Sequence, residues 1–390
     1  MEVCRILRGK KISRILKHQS SQRYHLRFDW SNLPVQSNLA KRILASQSRC
    51  KTFASGETLT FKTHHLNNFG IGSDIHTWAA SLCDAVENDL LLLARGRASQ
   101  KNGLWIWMSE NTCPFLGSRI RIASTNARTE EVLFDTPELN INPLRCYFGS
   151  HTDAFANTNG SCVETKSFSP KFVRKCSNLS NIRACPSIVN ATGDISPSDW
   201  FAAAVEYLFQ SLQQNVIEEA LLQIKEAFPE GLPHPDDLVT VHIRWGDKGQ
   251  EMKLQSIDSY VGNVSQILMT RPKDREHISP HIYLASEDPE AIRQFLEKAP
   301  KDWNIHTSGP TNKPGVSDMI SMSEDKTTGL QSFGALLLSM ESNRYILSTG
   351  SNWSRLINEL RKNVVHPRCN YCTFMLDAAP GEEWWPQIFP

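Results

Sequence analysis

The 390-residue chain lacks a long hydrophobic run: its longest aliphatic stretch, Leu90–Leu93, falls far short of the ~18 residues that span a bilayer. It also lacks an excess of either charge. Lysine plus arginine number 42 and aspartate plus glutamate 41, a net charge of +1, which argues against a protein built to neutralise nucleic-acid phosphates. No G-x-x-x-x-G-K-[ST] is present, which argues against a P-loop NTPase, and Gly70-Ile71-Gly72 lacks the third glycine of a dinucleotide fingerprint. H-E-x-x-H is absent, as is any D-x-D pair that would clamp a metal on a sugar nucleotide. Cys369-Asn370-Tyr371-Cys372 is a zinc half-site without a second half, which leaves a local disulfide or two buried thiols.

What is present is ordinary globular material. Apolar residues make up 40% and charged residues 21%, which excludes disordered and fibrous classes. The length allows two domains of ~150 residues or more. Ten cysteines are many for a chain kept reduced. N-x-[ST] matches fall at Asn159, Asn178, Asn190, Asn263 and Asn352, and three of them crowd beside Cys162, Cys176 and Cys185. Together these suit a luminal domain of the secretory pathway. Residues 1–60 carry Arg5, Arg8, Lys10, Lys11, Arg14 and Lys17, with apolar residues too scattered for a signal peptide. They read as a basic segment of uncertain structure without a visible signal anchor.

Residues 61–235 and 236–390 divide by rhythm, with Pro- and Gly-containing linker composition near 230–236. In the first part, Gly70–Ser73 opens a helix through Trp78 and Val86, followed by strands at Leu90–Leu93 and Trp105–Met108. A long helix capped by Ser196, with Pro197 in its first turn, is predicted to run through Leu208, Leu212 and Ile224. In the second part, strands at Leu238–Arg244, His281–Ala285 and Tyr345–Leu347 alternate with helices after Asp288-Pro289, near Phe333–Leu338 and after Ser351. Such alternation predicts an α/β fold with a parallel sheet, whose ligands bind beyond the carboxyl ends of the strands.

The chemistry concentrates at one of those ends, His242-Ile243-Arg244-Trp245-Gly246-Asp247-Lys248. Arg244 offers a fixed fork of donors and Lys248 a point charge four residues on, a diphosphate-binding pattern. An Arg244–Asp247 ion pair closing a turn at Gly246 accounts for the same spacing equally well. Glu251 follows Lys248 by three residues, placed to take a proton from an acceptor hydroxyl or simply to face solvent.

Four ordered stretches resemble the α1,6-fucosyltransferase family (glycosyltransferase family 23), which includes core N-glycan and nodulation fucosyltransferases. They are Phe69–Gly72 with Trp107–Cys113; His242–Lys248 with Glu251; Tyr283–Pro289; and Leu347–Arg355. The resemblance covers roughly residues 65–375 and implies a GT-B-like fold, two Rossmann-type domains facing a cleft. It implies GDP-fucose as donor, an N-glycan or related oligosaccharide as acceptor, inversion, and no metal or cofactor. By position, Glu251 is the base, Lys248 and Arg244 meet the charge of the departing GDP, and His242, Arg244, Asp247, Asp288, Ser351 and Arg355 bind the donor. The implied product is an α1,6-linked fucose on the innermost GlcNAc of an N-glycan, formed in the Golgi or secretory lumen. Fucosylation of a chitin-like oligosaccharide, transfer to protein serine or threonine, and a non-catalytic glycan-binding relative are the alternatives. Two positions depart from the family. Trp245 stands where the animal enzyme has a second arginine, and Gly334 falls where an acidic residue reads guanine.

Overall fold

The structure, a computed structural model, describes residues 24–48, 61–66, 70–95, 142–152, 196–245, 254–308 and 328–379. The expected strand Trp105–Met108, Phe69, the Trp107–Cys113 stretch and the Cys162–Cys185 region lie outside them. Residues 24–48 contribute α1 (Asn38–Gln47), whose Ser37 cap accepts from the Ala40 amide. Trp30 and Ile43 from this stretch are buried in the main core.

Next come β1 (Phe61–His65), α2 (Ile71–Glu87) and β2 (Leu91–Arg95), with the two strands paired in parallel. The single long helix expected after Ser196 is two: α3 (Pro197–Leu208) and α4 (Gln214–Ala227). Ser196 caps α3 as expected, through an Oγ that accepts from the Asp199 amide. The break comes from tertiary pairing that periodicity cannot register. The Leu212 and Gln213 amides donate to Trp30 and Tyr147 carbonyls, and the carbonyls of Gln210 and Ser211 accept from Leu33 and Gly149. Those backbone groups would otherwise close helical turns.

The second half is a five-stranded parallel sheet in the order β5-β4-β3-β6-β7. Its elements are β3 (Leu238–His242), α5 (Ile257–Leu268), β4 (His281–Ala285), α6 (Pro289–Lys298), β5 (Asn304–His306), α7 (Thr328–Ser339), β6 (Arg344–Leu347), α8 (Asn352–Leu360) and β7 (Phe374–Asp377). This is the α/β class that the strand–helix alternation predicts, with the strand order of a Rossmann-type domain. The short strands β5 and β7, at the two edges, carry too few residues to show a period and are additions to the expected set.

The strands are buried on both faces, as parallel sheets require. Val239, Val241, Ile282, Leu284 and Ile346 pack under α5 and α6. On the other face, Leu238, Tyr283 and Leu338 meet Ile224 and Phe228 of the α4 region. Tyr345, Leu347 and Leu356 join a cluster that extends through Phe333 and Phe209 to Trp78 and Trp30. Each large aromatic fully buried there, such as Phe209 or Phe333, contributes roughly 1.5–3 kcal/mol.

Candidate functional site

The chain leaves β3 for α5 on one face of the sheet and leaves β6 for α8 on the other. By that divergence these neighbouring strands define the switch-point crevice of the carboxyl rim, the place where parallel α/β sheets take ligands. The motif residues from β3 and β6 converge there.

His242 ends β3, buried, with Nδ1 2.6 Å from the hydroxyl of Ser354 on α8. That hydroxyl also accepts from the Ser348 amide at 3.1 Å, so one buried serine joins the ends of both strands. Burial, aided by the Arg244 charge, pushes the His242 imidazole down to about 3. The ring is therefore neutral at physiological pH, with one nitrogen able to donate and one able to accept.

Arg244, two residues further, forms an ion pair with Glu287, which follows β4. The cation that sequence alone could equally pair with Asp247 thus has a carboxylate from the Tyr283–Pro289 stretch beside it. Asp247 lies outside the described residues, as do Lys248 and Glu251. Asp288 lies at this rim too, and its Oδ1 accepts from the Glu290 and Ala291 amides at 2.9 Å as the cap of α6. Ser286 Oγ donates to the Ile243 carbonyl at 2.9 Å and accepts from the Asp288 amide at 3.2 Å, locking the end of β4 to that of β3.

Trp245 has a structural occupation. Its indole Nε1 donates to the Gln255 carbonyl at 3.0 Å, tying together the two ends of the segment that carries Lys248 and Glu251. Gly334 also finds a reason. A Cβ there would stand 2.7 Å from both Gln223 Nε2 and Glu219 Cγ on α4. A side chain at this position would therefore have to displace the side chains of Gln223 and Glu219, because α7 packs closely on α4.

At the start of α8, Ser351 occupies the cap position, but its side chain makes no capping bond. The Ser351 amide instead donates to the Ser348 carbonyl at 2.8 Å, which tightens the turn. The rim therefore receives a helix start whose amides carry partial positive charge. Arg355 sits one turn in, buried, with Nε 3.4 Å from the Ser351 carbonyl. Burial pushes its guanidinium down to about 9 against the opposing pull of the Glu359 charge.

The stretch Gly70–Ser73 meets this same point. Asn352 Nδ2 donates to Ser73 Oγ at 2.5 Å. A Cβ on Gly72 would lie 3.0 Å from backbone atoms of Asn352 and Trp353, so glycine admits this approach without the backbone giving way. Two helix starts far apart in sequence therefore abut: α2 from the first half and α8 from the second. Sequence reasoning missed Glu287, which pairs with Arg244, and Ser354, which bonds His242, as well as Ser73 and the buried His76–Glu359 pair, which join α2 to α8. Ser354 and Glu287 fall inside the recognised stretches, a signal that was available.

Away from the crevice, Cys369 and Cys372 form a disulfide, one of the two outcomes left open for that CxxC, and Cys83 and Cys146 are disulfide-bonded as well. Among the described residues no helix is long and apolar enough to cross a membrane.

No protein-family model matches this chain, and no curated protein matches it. Among solved structures it is similar to POFUT1 in an apo crystal form, with 12% identity over 45% of this chain and 49% of that one at a TM-score of 0.29. It is also similar to POFUT1 in complex with GDP, with 16% identity over 43% of this chain and 48% of that one at a TM-score of 0.25. The chain thus spans about half the length of the structures it matches.

Proposed function

We propose that the protein transfers fucose, with inversion, from GDP-fucose to a glycan hydroxyl, within a GT-B-like architecture. The observation that carries this reading is the crevice between β3 and β6. There a neutral His242, the cation of Arg244 and the uncapped start of α8 with Arg355 converge at the position where a parallel sheet binds a nucleotide diphosphate. The ordered motif resemblance supplies the sugar.

In this mechanism Glu251 takes the proton of the acceptor hydroxyl. The oxygen attacks the anomeric carbon from the face opposite the diphosphate, and the bond from that carbon to the GDP oxygen breaks. Arg244 and Lys248 meet the negative charge that develops on the departing diphosphate. Because these cations do that work and no D-x-D motif is present, the reaction proceeds without a divalent metal. The acceptor is the 6-hydroxyl of the innermost N-acetylglucosamine of an N-glycan, and the compartment is the Golgi or secretory lumen. The disulfides at Cys83, Cys146 and Cys369–Cys372 support an oxidising compartment.

The test is mass spectrometry of a GlcNAc-terminated N-glycan, a high-mannose N-glycan and a chitin oligomer, each incubated with the chain, GDP-fucose and EDTA. A deoxyhexose added to the first alone supports the reading in full, and addition to the chitin oligomer instead moves the acceptor. Absence of both transfer and GDP binding sinks the donor assignment. Glu251→Gln is expected to abolish transfer while leaving GDP affinity nearly unchanged, and a variant that kept most of its activity would show that the base lies elsewhere.

A further inference from the structure

His76 on α2 and Glu359 on α8 form a buried hydrogen-bonded pair outside the motifs, 283 residues apart in sequence. His76 Nε2 lies 2.9 Å from one Glu359 carboxylate oxygen and 3.0 Å from the other. The Phe201 ring meets the imidazole edge-on at 5.4 Å, which seals the pair against α3.

The contacts of α2 with α8 advance together along both helices: Gly72 against Asn352 and Trp353, Ser73 to Asn352, then His76 to Glu359. The helices therefore run in the same sense, with both amino termini at the crevice. Parallel neighbours bring like partial charges together at that rim, which suits an anion but opposes the pairing itself. Something must hold the two starts side by side. Only the last of the three contacts joins two ionisable groups, and Glu359 is also one turn beyond Arg355 on α8, where its carboxylate favours the charged guanidinium against burial.

We propose that His76–Glu359 is a positioning lock for the donor site. It ties α2 to α8 so that both helix starts face the diphosphate together, and it keeps a carboxylate fixed behind Arg355. Neither residue touches the donor. This role rests on the GDP-sugar reading above.

The test separates positioning from mere packing. In the double variant His76→Phe with Glu359→Leu, apolar groups of similar volume refill the buried site, so thermal stability is expected to stay near that of the wild type. GDP affinity by calorimetry and donor KM are expected to weaken at least ~tenfold, with kcat at saturating donor largely kept. His76→Gln, which retains a donor toward Glu359, is expected to recover most of the affinity. A folded double variant that binds GDP as tightly as the wild type overturns the lock while leaving the donor assignment standing. If the double variant does not fold, Glu359→Gln answers instead: it keeps shape and removes only the charge, and unchanged GDP affinity there likewise overturns the proposal. A wild-type chain that fails to bind GDP removes the donor reading and this role with it.

Discussion

At the amino rim of the five-stranded sheet, Arg344 opens β6 fully buried, and each guanidinium nitrogen has a fixed partner. Nε donates to Thr270 Oγ1 at 3.1 Å, Nη1 to the Asp236 carbonyl at 2.9 Å and its Oδ1 at 3.1 Å, and Nη2 to the Thr270 carbonyl at 2.7 Å. Asp236 accepts from Asn343 as well; burial pushes its carboxyl up, but the hydrogen bonds from Asn343 and Arg344 outweigh that and hold it below the usual range. At the carboxyl rim the arrangement differs. Arg244 is paired with one carboxylate, His242 spends one ring nitrogen on Ser354, and the start of α8 has no side-chain cap. One rim has consumed its polar capacity internally, where it stabilises the sheet. The other gathers a cation, a neutral imidazole and an uncapped helix start, the arrangement on which the proposed donor site rests.

The contrast can be broken by substitution. The largest effect is expected for Arg344→Met, which leaves buried acceptors around Asp236 and Thr270 without their donor. Roughly 3–5 kcal/mol of stability should be lost in denaturant unfolding. A loss below ~1 kcal/mol would mean that the amino rim is no more committed than the other. Arg244→Met should invert that pattern, raising the GDP dissociation constant ~100-fold while shifting stability by less than ~1 kcal/mol. Equal affinity for GDP would remove Arg244 from the donor site.

Gly72→Ala probes the seam where α2 meets α8. The added methyl presses on the backbone of Asn352 and Trp353, so a cost of ~1–3 kcal/mol with weakened GDP binding is expected. Stability falling without any change in affinity would confine the seam to packing.

A last test sharpens the comparison through pH. Glu341, just before β6, is buried, and burial pushes its carboxyl up to about 8 despite the Arg27 amide and charge. A raised carboxyl binds its proton in the folded chain where the unfolded chain has released it, so its contribution to stability falls as pH rises from about 4.5 through about 8. Glu341→Gln should then be more stable than the wild type at pH 9, by up to a few kcal/mol, and no more stable at pH 4. A gain that did not vary with pH would place the carboxyl's titration elsewhere.

How much was legible in advance depends on the range of the contacts involved. His281–Ala285 reads as a strand and is one, because its apolar run is buried on both faces and bounded by breakers. Asp288-Pro289 reads as a helix start, and Asp288 caps α6, because capping is settled within three residues. The His242–Lys248 and Leu347–Arg355 stretches are recognisable as motifs, and the sheet brings two of their members, His242 and Ser354, to 2.6 Å. By contrast, the continuous apolar period from Leu208 to Ile224 hides the break between α3 and α4, which is set by partners at Trp30 and Tyr147. Nor does anything near Gly334 in the chain announce α4, whose Gln223 and Glu219 crowd that position.

By itself, then, the amino-acid sequence determined the α/β class, the positions of the central strands and the residues that carry charge to their ends. These follow from side-chain period and capping, which act over a few residues. The tertiary structure alone decided which of those residues meet: Arg244 with Glu287 and His242 with Ser354. It also decided that Gly72 lies against Asn352 and that His76 and Glu359 pair in the core. Each of these joins segments distant in the chain, and such pairings form only when helices and sheet bury their apolar faces together.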